Sequence, residues 1–400
     1  MDFFAPRMSR FKPSPSQQAA QRVRELQAAG RDIVKLTAGE PDFPTPQHAK
    51  DAAVALMQQD EIRYTPINGT LAMREAVREK FRRDNGLDYG LDQITVGSGT
   101  KQILFNALMA TVSTGDEVIV PAPYWTSYPD MVQLAGGTPV IVRCSQNNGF
   151  KLRPEDLAAA ITPRTKWLLF NSPGNPTGAA YDAGELQALA EVLLAQPQVH
   201  VLSDDVYEHL LFDGRRFATF AQAEPRLYDR TVTCNGVSKA YSMTGWRVGF
   251  AGGPKEIIAN LSKMQSQSTA GVSAVGQAAA VAALTGPQEF VRERTADLQQ
   301  RRDILYAELN AVPGLACERP EGAMYIFCSC AGLIGKRMPD GRIIESDTDV
   351  TMYLLDRAGV AVVQGEAYGL SPYLRISFVA PREDLLRGGA LIREACAALA

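Results

Sequence analysis

The chain has 400 residues, of which 46% are hydrophobic, and its formal net charge at pH 7 is −3. This length suits two domains in extensive contact, and so small a charge gives no field that favours nucleic acid or an acidic membrane as a partner. No apolar run reaches the ~18 residues that a membrane-spanning helix needs, and the N-terminal stretch lacks the apolar segment of a signal peptide.

The first part of the chain combines a basic, proline-containing arm with a helical stretch and the strand-like run DIVKLTAG. After this arm, apolar strand-like runs alternate with helical segments such as KQILFNALMATV and AGELQALAEVLLA. The strand-like runs are QITV (93–96), DEVIV (116–120), TPVIV (138–142), KWLLF (166–170), VHVLS (199–203), TVTC (231–234) and VGFAG (248–252). This alternation predicts a mostly parallel sheet with helices on both faces.

Two further helices are predicted after the alternating region. AGVSAVGQAAAVAAL is rich in small residues and predicts a buried helix at 270–284. In PQEFVRERTADLQQRRDILYAELN, Val291, Leu298 and Leu305 recur every seven residues with charges between them, which predicts a long amphipathic connector.

The predicted fold class is α/β, with three parts along the chain. Residues 1–45 form an N-terminal arm and part of a small domain. Residues 46–286 form a large domain, whose seven strand-like runs build a mostly parallel sheet flanked by helices. Residues 287–400 form the connecting helix and the rest of a smaller α+β domain.

Cysteine and histidine usage bounds the chemistry. The six cysteines include no CxxC pair, and the three histidines show no metal-binding spacing. The economical prediction is a reduced cytoplasmic protein without a structural zinc or another bound metal.

Polar residues collect where several predicted strands end. In an open parallel sheet, ligands bind outside the carboxyl ends of the strands. Four strand-like runs are followed by GSGTKQ, NSPGNPTG, DDVYE and NGVSK. Together these loops offer small residues, an amide, two carboxylates, a tyrosine and a lysine, so their convergence predicts a binding site at this edge.

Taken singly, each loop also has an ordinary explanation. GSGTKQ (97–102) matches neither a Walker A loop nor a GxGxxG fingerprint, so a plain tight turn accounts for it, although glycines before a helix N-terminus also bind phosphate. A turn explains the prolines and glycines of NSPGNPTG, but not its central Asn175. Asp204 and Asp205 suit a helix cap or a solvated turn, or a buried cationic partner.

Lys239 and Arg247 carry more information as a pair than singly. They are eight residues apart, which is about 27 Å in an extended chain, so the segment has to fold back to bring both to one ligand, as Gly245 permits. A desolvated lysine can form a Schiff base, and arginine suits bidentate phosphate recognition. These residue types suit a cofactor with three features: a phosphate, a carbonyl that a lysine can trap, and a ring cation that a carboxylate can hold. Pyridoxal 5′-phosphate has all three.

The sequence resembles the fold-type I pyridoxal-phosphate enzymes, and among them the class I aminotransferases of the aspartate aminotransferase type. The resemblance runs almost end to end, through KPSPS, LTAGEPDF, NSPGNPTG, SDDVYE, SKAYSMTGWRVG, PEGAMY and YLRISFV. Of these segments, the pattern SKxxxMTGWRxG is the most specific. The resemblance implies the fold of that class and a homodimer with sites shared between subunits.

The resemblance also implies how the cofactor ring is held. Lys239 would form the Schiff base and carry the proton of the substrate Cα, and Asp204 would hold the pyridinium proton. Asn175 and Tyr207 would bond the phenolic oxygen, and Trp125 would stack on the ring face. On its own, a tryptophan is more often part of a core than a cofactor stack.

Phosphate and substrate contacts are implied in the same way. The phosphate would be bound by Ser238, Arg247 and the backbone around Gly99, Thr100 and Lys101, with Tyr64 reaching it from the neighbouring subunit. Arg375 and the backbone at Gly39 would bind the substrate α-carboxylate, beside Trp125 and Asn175. Without the resemblance, Arg375 could be an ordinary surface charge.

The choice of substrate depends on how the enzyme binds the side-chain carboxylate of a dicarboxylic substrate. Some aspartate aminotransferases bind it with an arginine ahead of a Ser-rich loop, but the corresponding region here, KMQSQSTAGVS, has none. The sequence resembles the branch that uses a lysine and a hydroxyl, at Lys101 and Ser16, although relatives often carry threonine in place of Ser16. Lysine lacks bidentate geometry, so looser discrimination is expected. Aspartate with 2-oxoglutarate is the first choice, and Lys12 keeps prephenate or aromatic substrates open.

Other functions explain less of the sequence. A β-eliminating lyase would share the fold, the cofactor and Lys239, but would release pyruvate and ammonia from one amino acid. A cofactor-sensing regulator would need a DNA-binding domain, for which no basic segment is left. A nicotinamide dehydrogenase would need a Rossmann fingerprint and would leave Lys239 and Arg247 unexplained. Transamination is therefore preferred, with the lyase second.

Overall fold

A computed structural model describes residues 3–10 and 16–400, with side chains from residue 21 onward in the first helix. The helices are α1 (Ser16–Ala28), α2 (Gln47–Met57), α3 (Leu71–Asn85), α4 (Thr100–Thr111), α5 (Ser127–Leu134), α6 (Pro154–Ala160), α7 (Ala183–Leu194), α8 (Phe220–Ala223), α9 (Lys255–Ser266), α10 (Ala274–Thr285), α11 (Glu289–Asn310), α12 (Asp347–Tyr353) and α13 (Arg382–Ala397). The strands are β1 (Val34–Lys35), β2 (Ile94–Gly97), β3 (Glu117–Ala122), β4 (Thr138–Arg143), β5 (Thr165–Asn171), β6 (His200–Asp204), β7 (Thr231–Gly236), β8 (Gly249–Gly252), β9 (Ala316–Cys317), β10 (Tyr325–Ser329), β11 (Val360–Ala361), β12 (Val363–Gln364) and β13 (Tyr373–Ser377).

The predicted seven-stranded sheet is confirmed. Its strands lie in the order β2-β8-β7-β6-β5-β3-β4, and all neighbours are parallel except β8, which is antiparallel to both β2 and β7. Every residue of the central strand β7 is buried, whereas the edge strand β4 alternates partly buried and exposed residues. Burial on both faces explains why the central strands are near-continuous apolar runs.

A smaller antiparallel sheet, in the order β12-β13-β10-β9, is built from the C-terminal part of the chain. The short strand β1 pairs in parallel with β11, which ties the N-terminal segment to that same part. The long connector is confirmed as α11. We propose the divisions at 45/46 and 286/287 as domain boundaries, since the second falls between α10 and α11.

The helix α10 is buried, as its small residues predict. Ala279, Ala280 and Ala283 are fully buried, and the helix packs against α2 and α3. Within the helix, the Gln277 amide accepts a hydrogen bond from Thr70 N and donates one to Val272 O, each at 2.8 Å. The first of these bonds holds the segment before α3 against α10.

The prediction that all cysteines are reduced is wrong for one pair. Cys317 on β9 and Cys328 on β10 form a disulfide, because the antiparallel register places them directly opposite each other with their Cα atoms 4.4 Å apart. That register joins residues eleven positions apart and follows from strand pairing, which the cysteine spacing does not reveal. The other four cysteines are buried thiols.

In the described part of the chain, no helix has both the length and the apolar character needed to cross a membrane.

Candidate active site

A cavity of about 440 Å³ opens where the strands of the large sheet end and the small sheet begins. It is lined by nearly all the residues that the sequence assigns to the site: Gly39, Thr100, Lys101, Trp125, Asn175, Asp204, Tyr207, Ser238, Lys239, Arg247 and Arg375. The parallel strands bring these loops together because they end at one edge. The convergence that the loop sequences predicted is thus present in the fold.

Three predicted site residues stand apart from the cavity lining. Gly99 immediately precedes Thr100 and borders the cavity through its contact with Arg247. Tyr64 is fully exposed and lies outside the cavity. The backbone of Ser16 begins α1, but its side chain lies outside the described residues, as does Lys12.

Lys239 lies just after β7 with its amine in the cavity. Its Nζ donates a hydrogen bond to the main-chain oxygen of Gly39 at 2.5 Å and lies 5.7 Å from the centre of the Tyr207 ring. Thr37, two residues before Gly39, accepts a hydrogen bond from Arg375 at 2.8 Å. The segment at 37–39 therefore lies between the lysine amine and the arginine guanidinium.

The fold-back between Lys239 and Arg247 has a different origin from the one the sequence suggests. Ser242 and Arg247 carry the left-handed backbone, with φ of 54° and 55°, whereas Gly245 lies in a short 3-10 turn, Thr244–Trp246, without a positive φ. The bend contains Gly245, but it does not use the positive φ that glycine takes most freely. Left-handed backbone costs a residue with a side chain roughly 1–3 kcal/mol, so the surrounding packing must hold Ser242 and Arg247 in place.

The N-terminus of α4 and Arg247 lie side by side at one end of the cavity. Arg247 donates to the main-chain oxygens of Thr244 and Ser98, at 2.9 and 3.3 Å. A Cβ at Gly99, whose φ is 87°, would lie 2.5 Å from Arg247 Nη2, so only glycine lets the guanidinium approach this loop. Free N–H groups at a helix start and a guanidinium together suit a phosphate.

Asp204 is a buried carboxylate in the lining of the cavity. Its Oδ2 accepts a hydrogen bond from the Tyr128 hydroxyl at 2.7 Å, while its Oδ1 is buried and has no hydrogen-bond partner in the described structure. Burial raises the pKa of this carboxyl to about 6. A buried acceptor without a donor is costly, so Oδ1 fits a ligand that brings an N–H, and a cationic one above all.

Arg375 on β13 lies at the opposite side of the cavity. Its guanidinium is buried and donates to Asn175 Oδ1 at 3.2 Å and to Thr37 O at 2.8 Å. Among the described residues, no carboxylate forms an ion pair with it, and its Nε is buried without a partner. A buried cation held only by neutral oxygens suits an anionic ligand.

Lys101 and Trp125 border a third part of the cavity. The lysine Nζ lies over the indole, 4.9 Å from its centre. Partial desolvation, and then the charge of Arg247, lower the pKa of Lys101, while Asp130 opposes the shift. The ammonium is therefore a second cation beside the cavity, on a longer and more flexible side chain than that of Arg375.

Two residues that contact Asp204 were not assigned from the sequence. Tyr128 donates to its carboxylate, and Asn171 Nδ2 donates to its main-chain oxygen at 2.7 Å. Asn171 begins NSPGNPTG, which the sequence singles out, and Tyr128 lies three residues after Trp125. Their link to Asp204 depends on strand register, since Asn171 on β5 lies directly beside Asp204 on β6.

The open α/β sheet, with a lysine-containing cavity where its strands end, is typical of enzymes that bind a small ligand at this edge. The family model described as Aminotransferase class I and II matches residues 31–388. The chain belongs to this family, and it is an aminotransferase.

Named relatives match nearly the whole chain. Aspartate aminotransferase of Rhizobium meliloti (strain 1021) is 53% identical over 94% of this chain and 92% of its own length. Aspartate/prephenate aminotransferase of Cereibacter sphaeroides is 53% identical over 100% of both. The Rhizobium meliloti crystal structure matches with a TM-score of 0.97, at 51% identity and 99% coverage of each chain. The structure of Thermus thermophilus aspartate aminotransferase with maleate matches with a TM-score of 0.91, at 39% identity over 99% of this chain and 100% of that one.

Proposed function

We propose that the enzyme moves the amino group of an L-amino acid, with aspartate as the first choice, to a 2-oxo acid, with 2-oxoglutarate as the first choice. One observation supports this choice most: besides Lys239 and Arg247, which is assigned to the phosphate, the cavity is lined by two further cations, Arg375 and Lys101. A substrate with two carboxylates provides one anion for each. Maleate, which accompanies the Thermus thermophilus relative, is also a dicarboxylate.

The residues of the cavity fit pyridoxal 5′-phosphate as the cofactor. The unpartnered Oδ1 of Asp204 fits the protonated ring nitrogen, and Asn175 and Tyr207 fit the phenolic oxygen. Trp125 offers a face for the ring. The phosphate fits the group formed by Ser238, Arg247 and the backbone of Gly99, Thr100 and Lys101. When bound, the cofactor supplies an electron-accepting ring that stabilises negative charge at the substrate Cα.

Lys239 serves both as the covalent attachment point and as the group that moves the proton at the substrate Cα. Its amine donates a hydrogen bond to Gly39 O, and Arg375 donates one to Thr37 O, at the other end of the segment 37–39. A carboxylate on Arg375 therefore brings the adjacent Cα to the side of the cavity where Lys239 lies. A positioned general base of this kind contributes ~10²–10⁴-fold to a rate.

The distal carboxylate is assigned to Lys101, together with the Ser16 hydroxyl. Lys101 lies over Trp125, so a bound substrate would draw the ammonium from the indole face toward its carboxylate. A lysine is a point charge without the planar fork of arginine. We therefore expect dicarboxylates to be preferred, with less stringent rejection of other side chains than an arginine gives.

We further propose a homodimer in which Tyr64 reaches the phosphate site of the partner subunit. Tyr64 is fully exposed in the single chain. Large apolar side chains on α2, at the start of α3 and in the segment between them are also about half exposed, namely Val54, Met57, Ile62 and Leu71. An apolar surface around a cofactor-binding tyrosine suits an interface between subunits. The cytoplasmic location expected from the sequence stays a prediction.

A spectroscopic experiment tests the proposed reaction. Single amino acids are added to purified holoenzyme while the visible absorption band of the lysine-bound cofactor is followed. Aspartate should convert this band most effectively, without release of pyruvate, and 2-oxoglutarate should restore it. Release of pyruvate and ammonia from one amino acid, with no need for a 2-oxo acid, would identify a β-eliminating lyase instead.

A second acceptor is supported by one comparison. The Cereibacter sphaeroides relative that matches over the whole chain is an aspartate/prephenate aminotransferase. Prephenate also carries two carboxylates, so the same two cations, Arg375 and Lys101, can bind it. Replacing 2-oxoglutarate with prephenate in the restoring half of the experiment tests this activity directly.

A further inference from the structure

Tyr325, the last residue of the PEGAMY segment, occupies a central place in the cavity although no role follows for it from the sequence. It begins β10, is 1% exposed and lines the cavity. Its hydroxyl lies 3.0 Å from the Tyr207 hydroxyl, and its ring centre lies 4.3 Å from the guanidinium carbon of Arg375. One side chain thus contacts both the cofactor-oxygen side and the carboxylate side of the site.

We propose that Tyr325 is a positioning residue that acts in two ways, with its hydroxyl orienting Tyr207 and its ring orienting Arg375. This inference rests on the proposed function, because it assigns the cofactor oxygen to Tyr207 and the substrate carboxylate to Arg375. It adds a residue of the small sheet that acts on both.

The hydroxyl contact has a preferred direction once the cofactor is bound. Tyr207 has one hydroxyl proton, and donating it to the cofactor oxygen leaves the Tyr207 oxygen free to accept. The Tyr325 hydroxyl, 3.0 Å away, then becomes the donor. Accepting a hydrogen bond makes a hydroxyl a stronger donor in turn. The order Tyr325 to Tyr207 to cofactor oxygen therefore strengthens the last bond.

Burial favours the protonated form of Tyr207 that this chain of hydrogen bonds needs. Burial, followed by the neighbouring Tyr325, raises the pKa of Tyr207 well above 10, and Asp204 adds to this shift while Arg375 opposes it. Tyr207 therefore stays a protonated donor across the pH range in which the enzyme is measured.

The ring contact follows from the register of the small sheet. Phe327 lies directly opposite Arg375 on the antiparallel pair β10–β13, and Tyr325 is two residues from Phe327 on the same face. Diagonal neighbours of this kind are within reach of aromatic and long side chains. The guanidinium lies over the Tyr325 ring at 4.3 Å and over Tyr368 at 5.1 Å, and a desolvated cation gains most from such faces.

The loop before Tyr325 fixes it relative to the large sheet. Gly178, in the loop that carries Asn175, lies so close to this loop that a Cβ there would be 2.6 Å from Gly322 O and 2.6 Å from Pro320 Cβ. Main-chain bonds from Glu321 N and Gly322 N to Gly178 O, at 2.9 and 2.8 Å, hold the two loops together. Tyr325 is thereby anchored next to the residues it is proposed to orient.

Two substitutions separate the two contacts. Tyr325→Phe removes the hydroxyl and keeps the ring, whereas Tyr325→Leu removes both. The matched control is Tyr373→Phe on β13, whose ring stacks on Phe327 and does not line the cavity. Each holoenzyme is titrated with pH while the visible band of the lysine–cofactor linkage is followed, and the dissociation constant of maleate is measured from the same spectra.

Tyr325→Phe should raise the midpoint of the spectral titration by roughly half a pH unit, because a weaker Tyr207 donor stabilises less negative charge on the cofactor oxygen. Its maleate affinity should stay within about twofold of wild type, while Tyr325→Leu should lose about tenfold. In a Tyr207→Phe background, the Tyr325→Phe shift should vanish, since the hydroxyl acts through Tyr207.

An unchanged midpoint in Tyr325→Phe, or a shift that persists without the Tyr207 hydroxyl, would overturn the hydroxyl role. Equal maleate affinity in the phenylalanine and leucine variants would overturn the ring role. If the leucine variant does not fold, Tyr325→Met takes its place in that comparison. Failure of the proposed function is distinguishable, because wild-type holoenzyme would then show no band conversion with any amino donor.

Discussion

Replacing Asp204 with asparagine is expected to stabilise the cofactor-free protein at neutral pH and to weaken cofactor binding. Burial raises the pKa of the Asp204 carboxyl from 3.8 to about 6. Between these values the folded chain keeps a proton that the unfolded chain has lost. The stability of the folded state therefore falls as the pH rises from about 4 to about 6.

The magnitude follows from that shift. The difference between 3.8 and about 6 is about 2 units, which corresponds to roughly 3 kcal/mol. Asparagine does not titrate, and it keeps an acceptor for the Tyr128 hydroxyl, which donates to Oδ2 at 2.7 Å. The advantage of the variant should thus be near zero at about pH 4 and should approach roughly 3 kcal/mol above about pH 7.

The assay is urea unfolding of the cofactor-free proteins across this pH range, repeated with added cofactor. Asp205→Asn is the matched control, because burial raises the pKa of Asp205 to about 7 and its side chain does not line the cavity. The gain in folding stability of Asp205→Asn over wild type should continue to grow to higher pH, and its cofactor affinity should be unchanged. Added cofactor should stabilise the Asp204 variant less than wild type. A pH-independent difference, or equal stabilisation by cofactor, would refute the reasoning.

Three further substitutions test the site. Lys239→Ala should still bind the cofactor but lose turnover by ~10²–10⁴-fold or more, and near-normal activity would remove Lys239 from its role. Lys101→Ala should raise the KM for aspartate far more than for alanine, and equal losses would exclude Lys101 from specificity. Gly99→Ala should weaken cofactor binding, measured by fluorescence titration, because the added Cβ displaces Arg247. As a control, Gly245→Ala should change the free energy of unfolding by less than ~0.5 kcal/mol, because a Cβ there meets nothing within 4 Å.

The seven strands of the large sheet and the buried and connecting helices could be predicted from the sequence because their signals are local. A central strand buried on both faces is an unbroken apolar run, as in β7. The heptad of α11 and the small residues of α10 are equally local. The loop residues that line the cavity could be found because a parallel sheet brings its strand ends to one edge.

The contacts that give those residues their chemistry were decided by tertiary structure. Tyr128 and Asp204 are 76 residues apart, Tyr207 and Tyr325 118, and Asn175 and Arg375 200. Such pairs depend on strand register and on the packing of the small sheet against the large one, and no local pattern encodes either. For the same reason the disulfide between Cys317 and Cys328 was not foreseen.

The bend between Lys239 and Arg247 shows most clearly what the local sequence determines and what the tertiary structure decides. The sequence by itself determined that this small-residued segment carries two cations, Lys239 and Arg247, eight residues apart. Glycine is the residue that local sequence reasoning favours for a bend, yet Ser242 and Arg247 take the left-handed backbone instead. The fold can impose that conformation because the surrounding strands and the α4 N-terminus hold Arg247 against Ser98 and Thr244.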